Sequence, residues 1–129
     1  MNQWERKVLW DKATEPAGTG EYNKFYPKKG YFACRACKTP LYSAESKFNS
    51  GCGWPAFDQC FSGSVKVEVD DSFGMKRVEI MCYTCGGHLG HVFHGERFTP
   101  TDERHCVNSV SVTYIDEEYK QNQKPLGPQ

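Results

Sequence analysis

The sequence predicts one mainly β domain of antiparallel strands, with a short helix before it and two pairs of cysteines to staple it. Apolar and polar residues alternate with a period of two in several runs, which is typical of half-buried strands. Turn-forming residues separate neighbouring runs, as antiparallel connections require. Cys34 and Cys37 form one Cys-x-x-Cys pair, and Cys82 and Cys85 form another. A chain of 129 residues has the length of a single domain.

A short helix and a loop are predicted for the start of the chain. Trp4, Val8 and Leu9 recur at helical spacing and therefore share one face. Residues 15–20, Glu-Pro-Ala-Gly-Thr-Gly, are rich in turn formers, so we expect the helix to end before them.

A β-hairpin is predicted next. Val65 to Val69 alternates between valine and charged residues, and Met75 to Met81 is a suitable partner strand. Residues 70–74, Asp-Asp-Ser-Phe-Gly, supply the turn between them. We therefore expect these two strands to pair antiparallel.

A third run, residues 104–115, carries chemically active side chains on one face. Successive side chains of a strand point to opposite faces, so Arg104, Cys106 and Asn108 are expected to point the same way. The chain then becomes polar and contains two prolines, which predicts a tail. The predicted units are a helix and loop at 1–20, a β domain with the cysteine pairs and the chemistry at 21–116, and the tail at 117–129.

The charge balance gives no general attraction to a polyanion. Lys plus Arg and Asp plus Glu both number 16, which argues against a nucleic-acid or acidic-membrane partner. No stretch is long and apolar enough to span a membrane, and the start lacks the apolar segment of a secretory signal. Seven cysteines, an odd number, fit a reducing compartment better than a disulfide framework, so we expect the cytoplasm.

The two Cys-x-x-Cys pairs predict a closed structural zinc site. A two-residue spacing lets one turn aim two sulfurs at one ion, and two such turns supply four tetrahedral ligands. Cys37 and Cys82 are 45 positions apart, so the metal would staple distant segments of the fold. Gly86 and Gly87 leave the backbone free to turn tightly after the second pair. A redox dithiol is the main alternative.

Cys106 is open to two interpretations. A lone buried thiol is often a small hydrophobic residue, but Arg104 would favour its thiolate and Asn108 offers an amide to a polar substrate oxygen. His88, His91 and His94 lie nearby in sequence. With four thiolates on a metal, these imidazoles are expected to be hydrogen-bonding or acid–base groups, or simply structural.

The loop at residues 50–57, Ser-Gly-Cys-Gly-Trp-Pro-Ala-Phe, is also open to two interpretations. In one, it is a tight turn whose Trp54 fills the core. In the other, the glycines let Cys52 move to an oxidised partner, and Trp54 presents an apolar face and one N–H donor to a substrate.

Several separated motifs together resemble the methionine sulfoxide reductases of the B type, which act on the R epimer of methionine sulfoxide. Their order and spacing match from about Val8 to Ile115. The matching stretches are Gly30–Cys37, Lys47–Pro55, Met81–Phe93 and Arg104–Ser109.

The resemblance implies a fold, a metal and an assignment of roles. It implies two antiparallel sheets, one structural zinc on the four paired cysteines, Cys106 as nucleophile and Cys52 as resolving cysteine. Thioredoxin is the implied reductant, and free methionine sulfoxide or oxidised protein is the implied substrate of a chain expected to be a monomer. Cys60 departs from the family pattern, as either a spare buried thiol or an alternative resolving group. The residues expected around the sulfoxide are Trp54, His88, His91, Phe93, Arg104 and Asn108.

Two other function classes remain open at this point. One is a zinc-stapled β module that binds a partner without catalysis, because related folds serve such roles. The other is a general thiol–disulfide or peroxide-handling protein. Turnover of the two sulfoxide epimers separates all three.

Overall fold

The computed structural model describes residues 2–70, 77–94, 100–101 and 103–117, with backbone alone at Asp70 and Arg77. Across these residues the chain forms one α-helix and nine strands. They are α1 (Gln3–Asp11), β1 (Tyr31–Cys34), β2 (Pro40–Ser43), β3 (Lys47–Phe48), β4 (Ala56–Phe57), β5 (Val65–Asp70), β6 (Arg77–Cys82), β7 (His88–His94), β8 (Glu103–Val107) and β9 (Val112–Ile115).

The described strands form two antiparallel sheets. The smaller sheet has the order β2-β1-β9, and the larger has the order β3-β4-β8-β7-β6-β5. Every pairing in both sheets is antiparallel. The predicted fold class, mainly β with two antiparallel sheets and a short N-terminal helix, is confirmed.

Aromatic rings join the inner faces of the two sheets. Phe32 of β1 meets Phe57 of β4 edge to face, with ring centroids 5.2 Å apart. Tyr42 of β2 stacks on Phe57 at 4.3 Å. All three side chains are fully buried, and each contributes roughly 1.5–3 kcal/mol of apolar burial. The core therefore lies between the sheets.

The helix α1 has a complete N-terminal capping box. The Asn2 side chain accepts from the Glu5 N–H, and the Glu5 carboxylate accepts from the Asn2 N–H, both at 2.8 Å. Val8 and Leu9 are buried, but Trp4 is 40% exposed, so the helix buries two of its three predicted apolar positions. Within the described ranges, no helix is long and apolar enough to cross a membrane.

The predicted hairpin forms, but two valines of its first strand are exposed to solvent. Strands β5 and β6 pair in register from Val65 opposite Cys82 to Asp70 opposite Arg77. The predicted turn after Asp70 and the predicted start of the second strand at Met75 lie outside the described residues. Val67 and Val69 are 56% and 65% exposed, because β5 is an edge strand of the larger sheet.

The prediction of one continuous alternating run over residues 104–115 was wrong in its middle. Strand β8 ends at Val107, a 3₁₀ turn spans Ser109–Ser111, and β9 then joins the other sheet. The two serines are buried and hydrogen-bonded: the Ser109 N–H donates to the Glu15 carboxylate, and the Ser111 hydroxyl donates to the His88 carbonyl at 2.8 Å. Because these bonds satisfy buried polar groups, the chain turns where periodicity alone favours a strand.

The domain boundaries at residues 20 and 116 stay a prediction. The predicted tail lies outside the described residues except for residue 117.

Candidate active site and metal centre

Cys52 and Cys106 lie side by side. Cys106 is in β8, where its cross-strand neighbours are His91 of β7 and Ala56 of β4. Cys52 is in the loop between β3 and β4, and its Sγ atom is 3.0 Å from that of Cys106. Since a disulfide requires about 2.05 Å between the sulfurs, a displacement of about 1 Å would bring them to bonding distance.

Arg104 supplies the positive charge expected beside Cys106. Its Nη1 donates to the Cys106 Sγ at 3.1 Å, and its guanidinium lies 4.4 Å from the centroid of the Phe93 ring. Arg104 and Cys106 are two residues apart in β8 and therefore share a face. The ring contact holds the guanidinium in place, and its hydrogen bond favours a negative sulfur.

A hydrogen bond joins the two thiols, and it shifts their pKa values in opposite directions. The hydrogen bond from the Cys106 thiol lowers the pKa of Cys52 to about 5. The same bond, together with burial, raises the pKa of Cys106, while Arg104 acts in the opposite direction. The expected Cys106 thiolate stays a prediction. Because the sulfurs touch, proton transfer to Cys52 frees the Cys106 thiolate.

The charge distribution predicts selective alkylation of the reduced protein. Cys52 is a thiolate above a pH of about 5 and loses that charge as the pH falls through this value. Iodoacetamide at mildly acidic to neutral pH should therefore label Cys52 before Cys106, as peptide mapping would measure. In Cys106→Ala, which lacks the hydrogen-bond donor, labelling of Cys52 should require a higher pH. First labelling of Cys106 in the unaltered chain would contradict this assignment.

A small cavity opens beside Cys106. Its volume is about 110 Å³. It combines two aromatic surfaces with an imidazole, an amide and the Cys106 sulfur, which suits a small ligand with an apolar group and one polar atom. The lining residues are Thr14, Trp54, Gly90, His91, Phe93, Cys106 and Asn108.

A loop segment around Glu15 ties two of these lining residues together. The Trp54 Nε1–H donates to the Glu15 carbonyl at 2.9 Å, and the Glu15 N–H donates to Asn108 Oδ1 at 3.0 Å. The Asn108 amide also donates to the Leu89 carbonyl at 3.1 Å. The Trp54 N–H, expected to face a substrate, is thus used by the protein backbone. Glu15, itself 3% exposed, fixes both side chains at the cavity.

His88 lies behind the cavity instead of lining it. Its Nδ1 is 2.8 Å from Glu79 Oε2, and the residue is 3% exposed. Burial lowers the pKa of His88, against the opposing effect of Glu79. The contact of His88 with a substrate stays a prediction. In the structure its Nδ1 contacts a buried carboxylate, and its ring lies 5.7 Å from that of His91.

The four paired cysteines form one compact cluster. The sulfur atoms of Cys34, Cys37, Cys82 and Cys85 all lie within 4.8 Å of one another; two of the separations are 3.5 and 3.6 Å. A tetrahedral ion with metal–sulfur bonds of 2.3 Å requires sulfur separations of about 3.8 Å. Burial raises the pKa of Cys85 to about 11, so a cation is needed for full ionisation of the set. The donor set fits a metal ion of the zinc type.

The two turns that carry these cysteines have the same backbone pattern. In the first, the Cys34 N–H donates to the Thr39 carbonyl and the Lys38 N–H donates to the Cys34 carbonyl. The second repeats both bonds at equivalent positions, from Cys82 to Gly87 and from Gly86 to Cys82. Lys38 and Gly86 both have positive φ, 66° and 77°. A glycine adopts this conformation without strain, as predicted for the second turn.

Comparison with known proteins decides the family. A model of the SelR domain matches residues 1–116. The chain belongs to the SelR family. A rice protein named peptide methionine sulfoxide reductase B5 is 58% identical over 109 residues, covering 84% of this chain and 78% of the rice protein. An Arabidopsis thaliana protein of the same name is 54% identical over 109 residues, covering 84% and 76%.

Two further relatives are similar to this chain. An uncharacterised protein of Schizosaccharomyces pombe is 50% identical over 117 residues, covering 90% of this chain and 85% of the yeast protein. The rice protein named peptide methionine sulfoxide reductase B3, chloroplastic, is 56% identical over 110 residues. That match covers 84% of this chain but only 47%, about half, of the rice protein.

Sequence reasoning on this SelR chain brought most of the site together but missed two carboxylates. Glu15 and Glu79 are 3% exposed and each contacts a predicted site residue. Glu15 lies in a turn-rich segment with no periodic signal. Glu79 lies between two apolar residues of β6, where alternation favours an outward-facing side chain, so the sequence gives no signal of its burial.

Cys60 lies outside both the four-cysteine cluster and the Cys52–Cys106 pair. It is half-buried, packs against the core, and lines a surface depression with Ser43 and Phe61. Burial raises the pKa of its thiol, which disfavours the reactive thiolate. Its environment suits a packing role.

Proposed function

We propose that this chain reduces the R epimer of methionine sulfoxide to methionine, with Cys106 as nucleophile and Cys52 as resolving thiol. One observation carries the proposal: two thiols 3.0 Å apart, one bonded to Arg104, at a cavity that suits a methyl sulfoxide. The family membership and the names of the relatives support reduction of methionine sulfoxide. A non-catalytic binding module would have no use for a thiol pair with shifted pKa values.

The first step combines thiolate attack with protonation of the sulfoxide oxygen. Cys106 passes its proton to Cys52, its sulfur gains the oxygen of the sulfoxide, and methionine leaves as the reduced thioether. One proton is consumed, because a thiolate and a sulfoxide give a sulfenic acid. His91 and Asn108 line the cavity and are our candidate donors to the oxygen. Trp54 and Phe93 offer apolar contact to the methyl group.

The second step forms a disulfide inside the protein. The Cys52 thiol attacks the sulfenic sulfur of Cys106, the S–O bond breaks, and the oxygen leaves as water. The short Sγ–Sγ distance supports this step without a large loop movement. The product is a Cys52–Cys106 disulfide, and methionine sulfoxide has been reduced to methionine by two electrons supplied by the two thiols.

The third step requires an external dithiol, for which thioredoxin is the proposed donor. Cys52 lines a second cavity of about 450 Å³, on the loop side of the pair. A reductant thiolate that attacks the Cys52 sulfur there forms a mixed disulfide and releases the Cys106 thiolate. The reductant's second thiol then releases Cys52. The Arg104 hydrogen bond stabilises the Cys106 thiolate as it leaves.

The proposed metal is one structural zinc ion, held by the four clustered cysteines. When bound, it supplies cross-linking between segments distant in sequence and leaves no ligand position for a reactant. The proposed setting is the cytoplasm, where thiols stay reduced. The proposed substrate is methionine sulfoxide, free or in oxidised proteins, acted on by a monomer.

The deciding experiment is turnover of the two separated sulfoxide epimers with dithiothreitol. The proposal expects methionine from the R epimer and none from the S epimer. A binding module yields no methionine from either. A peroxide-handling protein consumes hydrogen peroxide at least as fast as the R epimer, and that result would replace the proposal.

Cys52→Ser should separate the first turnover from recycling. Cys106 remains, so about one equivalent of methionine should form per chain in a single turnover, as chromatography of the product would measure. Steady-state turnover with thioredoxin should fall by on the order of 10²-fold or more, because no internal disulfide is available for exchange.

The matched control for this variant is Cys60→Ser, which removes a half-buried thiol outside the pair. It should keep both rates within about twofold, since it alters no group at the cavity. Equal thioredoxin-linked rates for Cys52→Ser and the unaltered chain would remove Cys52 from the cycle.

A further inference from the structure

Glu79 is a buried carboxylate whose side chain is 4% exposed. Burial of a charge is costly unless the charge is paired and hydrogen-bonded. Two groups satisfy Glu79: Lys12 Nζ lies 3.1 Å from Oε1, and His88 Nδ1 lies 2.8 Å from Oε2. Lys12 comes from the end of the helix, and its side chain is 59% exposed. The carboxylate therefore joins a surface ammonium to a buried imidazole.

The strand register places Glu79 in line with the reacting sulfur. Glu79 of β6 is directly opposite His91 of β7, and His91 is directly opposite Cys106 of β8. Directly opposed residues of an antiparallel pair share a face of the sheet. Glu79, His91 and Cys106 therefore form one row across three neighbouring strands, and the last two line the proposed sulfoxide cavity.

A β-bulge brings His88 to the same face as His91. In a regular strand, residues three apart point to opposite faces. Here Ile80 pairs with Gly90 and Met81 pairs with His88, so Leu89 is an extra residue in β7. Gly90 permits the strands to approach, because a Cβ there would meet the Cys106 carbonyl oxygen at 1.9 Å. The result is the contact between the His88 and His91 rings at 5.7 Å.

We propose that Glu79 is a positioning residue that holds a proton on the His88–His91 pair for delivery to the sulfoxide oxygen. This inference rests on the proposed function. The Glu79 carboxylate is the charge that assists the first step of the proposed reaction. The Glu79 carboxylate accepts from His88 Nδ1–H, which leaves Nε2 as the other proton site of that ring. His91 faces the cavity and transfers the proton to the oxygen as the Cys106 sulfur attacks. A proton from solvent then restores the pair.

The charges facing His88 have opposite signs, so their effects can be separated. The Glu79 carboxylate on β6 favours a protonated imidazole, whereas Lys12 after α1 and His91 on β7 disfavour it. Burial is the largest effect and also disfavours the charge. Removal of the negative charge should therefore lower the pKa of His88, and removal of the Lys12 charge should raise it.

The test measures single-turnover methionine formation from a peptide R-sulfoxide, with dithiothreitol-reduced protein, across the pH range. In Glu79→Gln, which keeps an oxygen acceptor but loses the charge, we expect the basic limb of the rate to move by about one pH unit to lower pH. At neutral pH the maximal rate should fall about tenfold, with KM changed less than about twofold. In Lys12→Gln the limb should move to higher pH.

The opposite directions distinguish a charge effect from a structural one. Damage to folding lowers the rate in both variants and moves neither limb, and that outcome overturns the inference. Limbs that move in the same direction overturn it as well. Because Lys12 is exposed, its variant remains informative if Glu79→Gln folds poorly. A failure of the unaltered chain to reduce the R-sulfoxide would instead overturn the proposed function.

Discussion

Replacement of Cys106 by serine is expected to abolish reduction of the R-sulfoxide. The hydroxyl of serine is much less acidic than a thiol and forms no sulfenic acid, so neither the first nor the second step can proceed. We expect a loss of on the order of 10³-fold or more in the rate of methionine formation. Chromatographic measurement of methionine with dithiothreitol as reductant tests this without dependence on recycling.

The same variant should keep its metal and its fold. Cys106 is outside the cluster of four sulfurs, so metal analysis should give about one zinc per chain before and after the change. Undiminished reduction by Cys106→Ser would end the proposed mechanism. Loss of zinc from this variant would show that the separation of a reactive thiol from the ligand thiols is wrong.

Replacement of Cys34 by serine should destabilise the whole fold. Cys34 is fully buried at the end of β1, and its sulfur lies 3.6 Å from that of Cys85. The cluster joins the turn after β1 in the smaller sheet to the turn after β6 in the larger sheet. Loss of one ligand loses much of the metal's folding free energy, so we expect a cost of about 5 kcal/mol or more.

That cost is comparable to the total stability of a typical domain, about 5–15 kcal/mol. A thermal melt followed by circular dichroism, with metal analysis of the same sample, measures it. Cys60→Ser is the matched control, because it replaces a half-buried thiol outside the cluster. An unchanged melting temperature for Cys34→Ser would contradict a structural metal centre.

Local patterns predicted those parts of the fold that local physics decides. The spacing of Val8 and Leu9 predicted α1, and the valine alternation from residue 65 predicted β5. The break in residues 104–115 was missed, because it depends on bonds from Ser109 and Ser111 to distant residues. Periodicity carries no information about such partners, which lie 94 and 23 positions away.

The candidate site was likewise predicted only where local sequence motifs determine it. Motifs were sufficient to group Cys52, Cys106 and Arg104, and the contacts among them agree with that grouping. They did not reveal the partner of His88, since a bulge in β7 and a carboxylate from β6 determine where its ring lies. The hydrogen bond between the two sulfurs was also missed. It depends on a 3.0 Å contact that no spacing in the sequence specifies.

The two sulfurs of the proposed disulfide line different cavities. Cys106 lines the smaller one and Cys52 the larger one, with Trp54 lining both. A ping-pong enzyme whose oxidant and reductant share one opening suffers from dead-end complexes when either is in excess. In the proposed cycle the indole lies between the two routes, so we expect that a high concentration of sulfoxide does not compete with the incoming dithiol.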